Sequence, residues 1–133
     1  QQIGFIQYTL ENGSQLYIIN PDGTRLAAVL ENFEENYRTF EWSPDSQWIL
    51  SIVRQPDTNI SKLRLINVED KRVMKIVAAD DYLVTAATWS PDGKSIIFSA
   101  SVDGKSLDED IYRVSFDEHL LANQMHLENL TQQ

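Results

Sequence analysis

Residues Thr88 to Ser99 read TWSPDGKSIIFS, and residues Glu41 to Ile52 read EWSPDSQWILSI. Both stretches contain Trp-Ser-Pro-Asp followed by an apolar run, and the two tryptophans, Trp42 and Trp89, are 47 residues apart. A motif that recurs at a fixed interval in this range is typical of proteins built from stacked structural repeats. The sequence therefore predicts a repeat architecture.

The same interval recurs after the motif. The run KLRLIN at Lys62–Asn67 follows QLYIIN at Gln15–Asn20 by 47 residues, and it precedes DIYRVS at Asp110–Ser115 by 48. We therefore expect three copies of one unit. The predicted copies occupy residues 1–36, 37–83 and 84–133.

The first copy is incomplete. It opens with IGFIQYT at Ile3–Thr9, which we match to SIIFSAS at Ser95–Ser101, so the strand that carries Trp-Ser-Pro-Asp is missing from it. We therefore expect the chain to belong to something longer, although two assembled copies would also complete the set.

The composition argues against several classes of function. The chain has 133 residues, of which 42% are hydrophobic, and this is ordinary for one globular domain. It has no cysteine, so disulfides and thiolate metal sites are excluded. Its net charge of −9 argues against nucleic acid as a partner, because nucleic acid binding relies on Lys and Arg to neutralise phosphates. No apolar run approaches the length needed to insert into a membrane.

Each Trp-Ser-Pro-Asp stretch is interpreted as a hairpin. In the third copy, Pro91 presets φ for a turn, Asp92 can accept hydrogen bonds from nearby backbone amides, and Gly93 tolerates a positive φ. In the second copy Ser46 stands where this glycine stands. We therefore expect that turn to be more strained or of a different type.

A third strand, a second turn and a fourth strand follow in each copy. Four antiparallel strands per 47 residues describe one blade of a β-propeller better than any helical repeat. The predicted fold is therefore all-β, with about three propeller blades of four antiparallel strands each and the first blade incomplete. Within Ser115–Leu127, a short helical turn is an alternative to the strand-turn-strand pattern.

These motifs carry a resemblance to a known family. The third copy, with Trp-Ser-Pro-Asp-Gly-Lys, an apolar strand, Ile-Tyr and a closing Leu-Thr, resembles the TolB-like propeller repeat, a relative of the WD-repeat. The second copy departs from the pattern at Leu63 and Arg64, where the family has Ile-Tyr. The resemblance implies a structural role for the motif residues, which are Trp42, Ser43, Pro44, Asp45, Trp89, Ser90, Pro91, Asp92 and Gly93.

The resemblance also implies a biological setting and an assembly. TolB-like propellers serve bacteria as periplasmic interaction platforms, so a periplasmic or extracellular location is expected, with a cytoplasmic one left open. Propellers close with typically four to eight blades. The expected partners therefore include the remaining blades of a longer chain, or a second copy in a homodimer that completes a six-bladed ring.

Candidate catalytic residues are few. The sequence contains no nucleophile elbow, no zinc-protease motif and no phosphate-binding loop. Ser43 and Ser90 are interpreted as turn residues because no base is placed to activate them. The only histidines, His119 and His126, suit exposed positions better than a metal pair, so we expect no cofactor and no metal site.

Trp42 and Trp89 recur at the repeat period and are expected to pack between blades. Trp48 is interpreted in the same way, although its alignment with Ser95 also allows an exposed position.

The longer loops suggest where a partner binds. Loops that follow the second and fourth strands lie on one side of a blade, and here they are long, acidic and supplied with aromatic residues. Variable loops on a rigid scaffold are where binding usually occurs. The predicted partner-binding residues are Phe33, Tyr37, Arg38, Arg54, Asp80, Asp81, Tyr82, Asp103, Asp108 and Asp110.

Taken together, these features predict a protein without enzymatic activity. The leading hypothesis is a non-catalytic module that presents its acidic loop side to a protein or peptide. Similar repeats also occur in prolyl oligopeptidase-type peptidases and in bacterial sensor proteins, so the propeller domain of a larger enzyme or of a signalling protein is the alternative.

Overall fold

The structure, a computed structural model, describes residues 2–11, 13–29, 36–54, 61–76, 82–102, 108–119 and 126–131. Within these ranges the chain is all-β: it forms eleven strands and no helix. Two of the strands, WILSIVR and SIIFSAS, are rich in β-branched and aromatic residues, which suit a pleated surface buried between neighbours. The prediction of an all-β fold is confirmed.

The strands group into three antiparallel units, which we call blades one, two and three. Blade one contains β1 (Ile3–Thr9), β2 (Gly13–Ile19) and β3 (Ala27–Ala28). Blade two contains β4 (Asn36–Trp42), β5 (Trp48–Arg54), β6 (Ser61–Asn67) and β7 (Val73–Lys75). Blade three contains β8 (Leu83–Trp89), β9 (Ser95–Ser101), β10 (Asp110–Ser115) and β11 (Leu127–Asn129).

Neighbouring strands in each blade pair in chain order, and a single parallel contact between Ser61 and Leu83 joins blades two and three. The first strands of blades two and three also carry the same irregularity. The register shifts between Tyr37 and Thr39 in β4, and between Val84 and Ala86 in β8. The repeat therefore extends to backbone defects that the sequence did not reveal.

The tight turns that follow β4 and β8 have the same geometry, although serine stands in one where glycine stands in the other. Gly93 has φ of 72° and its N–H donates to the carbonyl oxygen of Ser90 at 2.9 Å, while Ser46 has φ of 60° and donates in the same way to Ser43 at 2.9 Å. Because a side chain is disfavoured in this left-handed region, the serine turn carries strain. Of the two expectations for this turn, greater strain is therefore the correct one.

Two hydrophobic cores lie between the blades. The core between blades two and three contains Trp48, Leu50 and Leu63 from one side, and Phe98 and Tyr112 from the other. The core between blades one and two is smaller. Its buried members are Leu16, Ile18, Val29, Ile49, Val53 and Ile66, with Phe40 and Trp42 packed against them.

Trp48 is buried, so the alternative of an exposed position is wrong. Only 2% of the residue is exposed, and its ring meets Phe116 edge-on with 5.3 Å between ring centroids. Trp48 lies on the face of blade two that blade three covers. Ser95, its counterpart by alignment, lies on the face of blade three that points away from blade two, so the alignment was right and the inferred exposure was not.

The strand pairing shows that the expected match between Ile3–Thr9 and Ser95–Ser101 is wrong by one residue. Gly4 pairs with Ile18, Leu50 with Leu65, and Ile97 with Arg113. Since Ile18, Leu65 and Arg113 are counterparts in the three copies, Gly4 corresponds to Ile97. A shift of one residue exchanges the two faces of a strand. Consequently Gly4 and Ile6 face blade two, whereas Ile3 and Phe5 face away from it.

Candidate functional site

The predicted partner surface is only partly covered by the structure. Phe33, Asp80, Asp81 and Asp103 lie outside the described residues. The backbone of Tyr37 and Arg38 lies in β4. The remaining predicted residues are described in full; they are Arg54, Tyr82, Asp108 and Asp110.

Two of these residues meet at the loop end of blade three. Tyr82, just before β8, contacts Tyr112 of β10 with 5.1 Å between ring centroids. Asp110, at the start of β10, accepts a hydrogen bond of 3.0 Å from the side-chain amide of Asn129 in β11. We call Tyr82, Asp110, Tyr112 and Asn129 the blade-three cluster.

Burial and charge act on the cluster's central residue. Tyr112 is almost fully buried and stacks on Phe98 with 5.4 Å between ring centroids. Burial, followed by the neighbouring Tyr82 and the Asp110 carboxylate, raises the pKa of the Tyr112 phenol, because each of these disfavours the phenolate. The phenol is therefore held in its neutral form, which suits packing and hydrogen bonding rather than general-base chemistry.

The other two described residues, Arg54 and Asp108, are not among these four. Arg54 is exposed and ends β5 of blade two, and Asp108 is exposed and precedes β10. Tyr112 and Asn129 are not among the residues predicted from the sequence. The alternation of DIYRVS could have indicated that Tyr112 points toward blade two, but the sequence gives no signal that pairs Asn129 with Asp110.

The motif serines are fully engaged in their turns. Ser90 Oγ donates to Asp92 Oδ1 at 2.6 Å and accepts from the Ser95 N–H at 2.9 Å. The Ser90 hydroxyl, followed by the Lys94 N–H, holds the pKa of the Asp92 carboxyl below its ordinary value. This arrangement stabilises a turn. It provides no base that could activate the hydroxyl as a nucleophile.

Two cavities formed by described residues lie on the turn side of the blades, opposite the predicted surface. One of about 600 Å³ lies between blades two and three, and its lining includes Asp45, Lys94 and Phe116. The other, of about 370 Å³, lies between blades one and two, beside Gln2 and Asn67. The sequence predicts no role for this side beyond turn formation.

The described ranges contain no metal-binding cluster and no membrane-crossing helix. No three His, Cys, Asp or Glu side chains of this part of the chain are close enough together to hold a metal ion. His119 is highly exposed and lies 3.7 Å from Glu118. None of the described residues forms a helix long and apolar enough to cross a membrane.

No family model matches the chain, and no curated protein matches it significantly in sequence. Among solved structures, TolB from Acinetobacter baumannii is similar, with a TM-score of 0.70 and 20% identity over 97% of this chain and 30% of that one. The chain has the fold of a TolB-type β-propeller segment. A protein from Agrobacterium tumefaciens assigned as TolB is also similar, with a TM-score of 0.68 and 16% identity over 97% of this chain and 44% of that one.

The same propeller segment is similar to a structure from a study of two prolyl endopeptidases. That match has a TM-score of 0.65 and 11% identity, and it covers 95% of this chain and 20% of the other. The chain thus spans less than half the length of each of these neighbours. At these identities, the similarity shows a shared propeller fold, which hosts many unrelated functions.

Proposed function

We propose that this propeller segment is a non-catalytic interaction module whose acidic loop side binds a protein or peptide. The observation that carries the proposal is the blade-three cluster, where Tyr82 and Tyr112 lie 5.1 Å apart beside the Asp110 carboxylate. Aromatic side chains held by packing are effective interface anchors. An adjacent carboxylate selects for a basic group on the partner.

The overall charge supports the same kind of partner. A net charge of −9 favours encounter with a basic protein surface or peptide, and it disfavours nucleic acid. The proposal includes no membrane insertion, no cofactor and no metal. The rest of the proposed surface is formed by the other predicted residues, namely Phe33, Tyr37, Arg38, Arg54, Asp80, Asp81, Asp103 and Asp108.

The location belongs to the proposal as well. The resemblance of the repeats to TolB-like propellers, together with the fold, supports a periplasmic or extracellular site of action. Measuring the distribution of the full-length protein between periplasmic and cytoplasmic fractions of its host would test it.

Selection of displayed random peptides on the immobilised protein would test the function. We expect enriched peptides to contain Lys or Arg next to an aromatic or aliphatic residue. Tyr82→Ala should weaken their binding about tenfold or more, as loss of an interface anchor does. Asp110→Asn, which keeps an acceptor for Asn129, should weaken binding less and reduce its dependence on salt.

His119→Ala is the matched control, because His119 is highly exposed and lies on the turn side of blade three. This variant should bind the peptides as the unmodified protein does. If the peptides instead lose affinity with His119→Ala and keep it with Tyr82→Ala, the loop side is not the binding surface.

The alternative is the propeller domain of a larger enzyme of the prolyl oligopeptidase type, or of a bacterial sensor. The similarity to a prolyl endopeptidase over 95% of this chain favours the enzyme version. In that case catalysis would reside in another part of the polypeptide. A hydrolase domain with a nucleophile elbow in the parent reading frame would decide for the alternative.

A further inference from the structure

The two cavities on the turn side are built from corresponding parts of the repeat. The chain after β6 contributes Val68 to the cavity between blades one and two, and the chain after β10 contributes Phe116 to the cavity between blades two and three. The same backbone hydrogen bond fixes both segments. The Val68 N–H donates to the carbonyl oxygen of Gln47 at 3.0 Å, and the Phe116 N–H donates to that of Lys94 at 2.8 Å. The repeat therefore forms a cavity at each of these two interfaces.

The side chains that line the two cavities differ at corresponding positions. Named with the first cavity before the second, the differing pairs are Gln2 and Trp48, Gln47 and Lys94, and Val68 and Phe116. A carboxylate is common to both cavities, as Glu69 in the first and Asp117 in the second. The fold provides both cavities, but two aromatic rings and an ammonium group replace two amides and a valine in the second.

The aromatic wall of the second cavity is held in place by its neighbours. Phe116 is half-buried, and its ring meets Trp48 and Trp89 edge-on with centroids 5.3 and 5.2 Å apart. The Arg72 guanidinium lies 5.2 Å from the centre of the Trp48 ring and 4.0 Å from the Glu118 carboxylate. A preformed cavity of about 600 Å³ with aromatic walls and a few polar groups is typical of a site for a small molecule.

Charged groups of both signs border this cavity without neutralising one another. Within the described residues, the Lys94 ammonium group forms no hydrogen bond and no ion pair, and its attraction to Asp92 acts over a longer distance. Asp45 and Asp117 each use Oδ1 alone, for hydrogen bonds within their own turns. The Oδ2 atoms of both carboxylates and the Lys94 ammonium group are thus available to a ligand.

These groups suit a ligand that carries both charges. A ligand carboxylate would pair with Lys94, and a ligand ammonium group would pair with Asp45 or Asp117, in charge-assisted hydrogen bonds. An apolar body between the two charges would cover the Phe116 ring. A ligand with a single charge fits less well, because it would meet a group of its own sign on the rim of the cavity.

We propose that the cavity between blades two and three binds a free amino acid with an aromatic or large aliphatic side chain. Lys94 holds its carboxylate, Asp45 and Asp117 hold its ammonium group, and the side chain packs on Phe116. The end of a protein chain offers similar chemistry, but it carries only one of the two charges. The site lies on the opposite side of the blades from the acidic loop side, and it is independent of the function proposed above.

Isothermal titration calorimetry with L-phenylalanine tests the site, at about 0.15 M salt so that the net charge of the protein is screened. L-phenylalanine should bind about tenfold or more tightly than two analogues that each lack one charge. L-phenylalaninamide lacks the carboxylate and resembles the N-terminus of a chain. N-acetyl-L-phenylalanine lacks the ammonium group and resembles a C-terminus. Glycine, which lacks the apolar side chain, should give no measurable binding.

Substitutions locate the binding. Lys94→Gln introduces the residue of the first cavity and should weaken L-phenylalanine binding about tenfold, and Asp117→Asn should weaken it several-fold. Both side chains are exposed, so neither change should disturb the fold. The matched control is Glu69→Gln, at the position of the first cavity that corresponds to Asp117, and it should leave the affinity unchanged. Tyr82→Ala on the loop side should also have no effect.

Three results would overturn the proposal. The first is the absence of a binding heat with L-phenylalanine. The second is equal affinity for L-phenylalanine and either single-charge analogue, because the end of a protein chain would then satisfy the site. The third is an equal loss of affinity in Lys94→Gln and Glu69→Gln, since binding would then not depend on the groups that distinguish the second cavity.

Discussion

The blades meet at two interfaces, one between blades one and two and one between blades two and three. At corresponding positions, these interfaces place large and small side chains in opposite order. In the first, Gly4 of blade one meets Phe40 of blade two, and a Cβ on Gly4 would lie 2.9 Å from Phe40 Cε2. In the second, the counterpart of Gly4 is Leu50, and the counterpart of Phe40 is Ala87, which packs against the same core as Leu50.

This exchange shows that the repeat conserves volume across an interface rather than residue type at a position. Protein interiors are packed about as densely as organic crystals, so a small residue on one blade requires a large one on the next. Blades of one repeat are therefore not interchangeable. Each side of a blade matches one specific neighbour.

The largest expected effect tests whether burial differs between two stacked aromatic pairs. Phe98 and Tyr112 stack in blade three, and Phe5 and Tyr17 stack in blade one. Phe98→Ala should lower the free energy of unfolding by about 3–5 kcal/mol, because it leaves a cavity in the core between blades two and three. Phe5→Ala should cost about 1–2 kcal/mol, since Phe5 is already 37% exposed. Urea unfolding followed by tryptophan fluorescence measures both values, and similar losses would contradict the comparison.

The size exchange predicts a rescue. Gly4→Leu should destabilise the protein by about 1–3 kcal/mol, because the new side chain overlaps Phe40. Combining it with Phe40→Ala reproduces the Leu50–Ala87 arrangement of the other interface. We expect the double variant to be more stable than Gly4→Leu alone. Strictly additive losses in a double-mutant cycle would show that the two positions do not share one space.

A smaller effect is expected from the two hydrogen bonds that the Glu41 side chain of β4 accepts from β8. Glu41 Oε1 accepts from the Thr88 hydroxyl at 2.8 Å and from the Trp89 backbone N–H at 3.3 Å. Glu41→Ala should cost about 1–1.5 kcal/mol, typical of a partly buried hydrogen-bonded group. Glu41→Gln keeps an acceptor oxygen and should recover most of the loss. Failure of Gln to do better than Ala would mean that the carboxylate acts through its charge.

The fold could be predicted because its signal is periodic. Trp42 and Trp89, each followed by Ser-Pro-Asp, set the interval, and turn chemistry placed the hairpins. The match of the first blade failed by one residue, because IGFIQYT has few residues in common with SIIFSAS and only pairing with β2 fixes its register. Facing residues such as Gly4 and Phe40 are 36 positions apart, and no local pattern connects them.

The candidate site was predicted less completely than the fold. The sequence predicts Tyr82 and Asp110 because they flank loops, and the structure brings both to Tyr112. Tyr112 itself looked like an ordinary strand residue, because a sequence does not reveal which strand residue lies under a loop. Contacts across a blade depend on tertiary packing, which residue type and spacing do not encode.

The smallest expected effects come from the two turns, which share a hydrogen-bond pattern but differ at one residue. Ser46→Gly should stabilise the protein by about 0.5–1 kcal/mol, because relief of the left-handed strain exceeds the extra entropy of the unfolded chain. Gly93→Ser should cost a similar amount. A Cβ at Gly93 meets only ordinary contacts, with Pro44 Cδ at 3.5 Å, so the cost arises from the backbone and not from a clash. Thermal unfolding of both variants measures the pair, and equal shifts of the same sign would show that the turns are not equivalent.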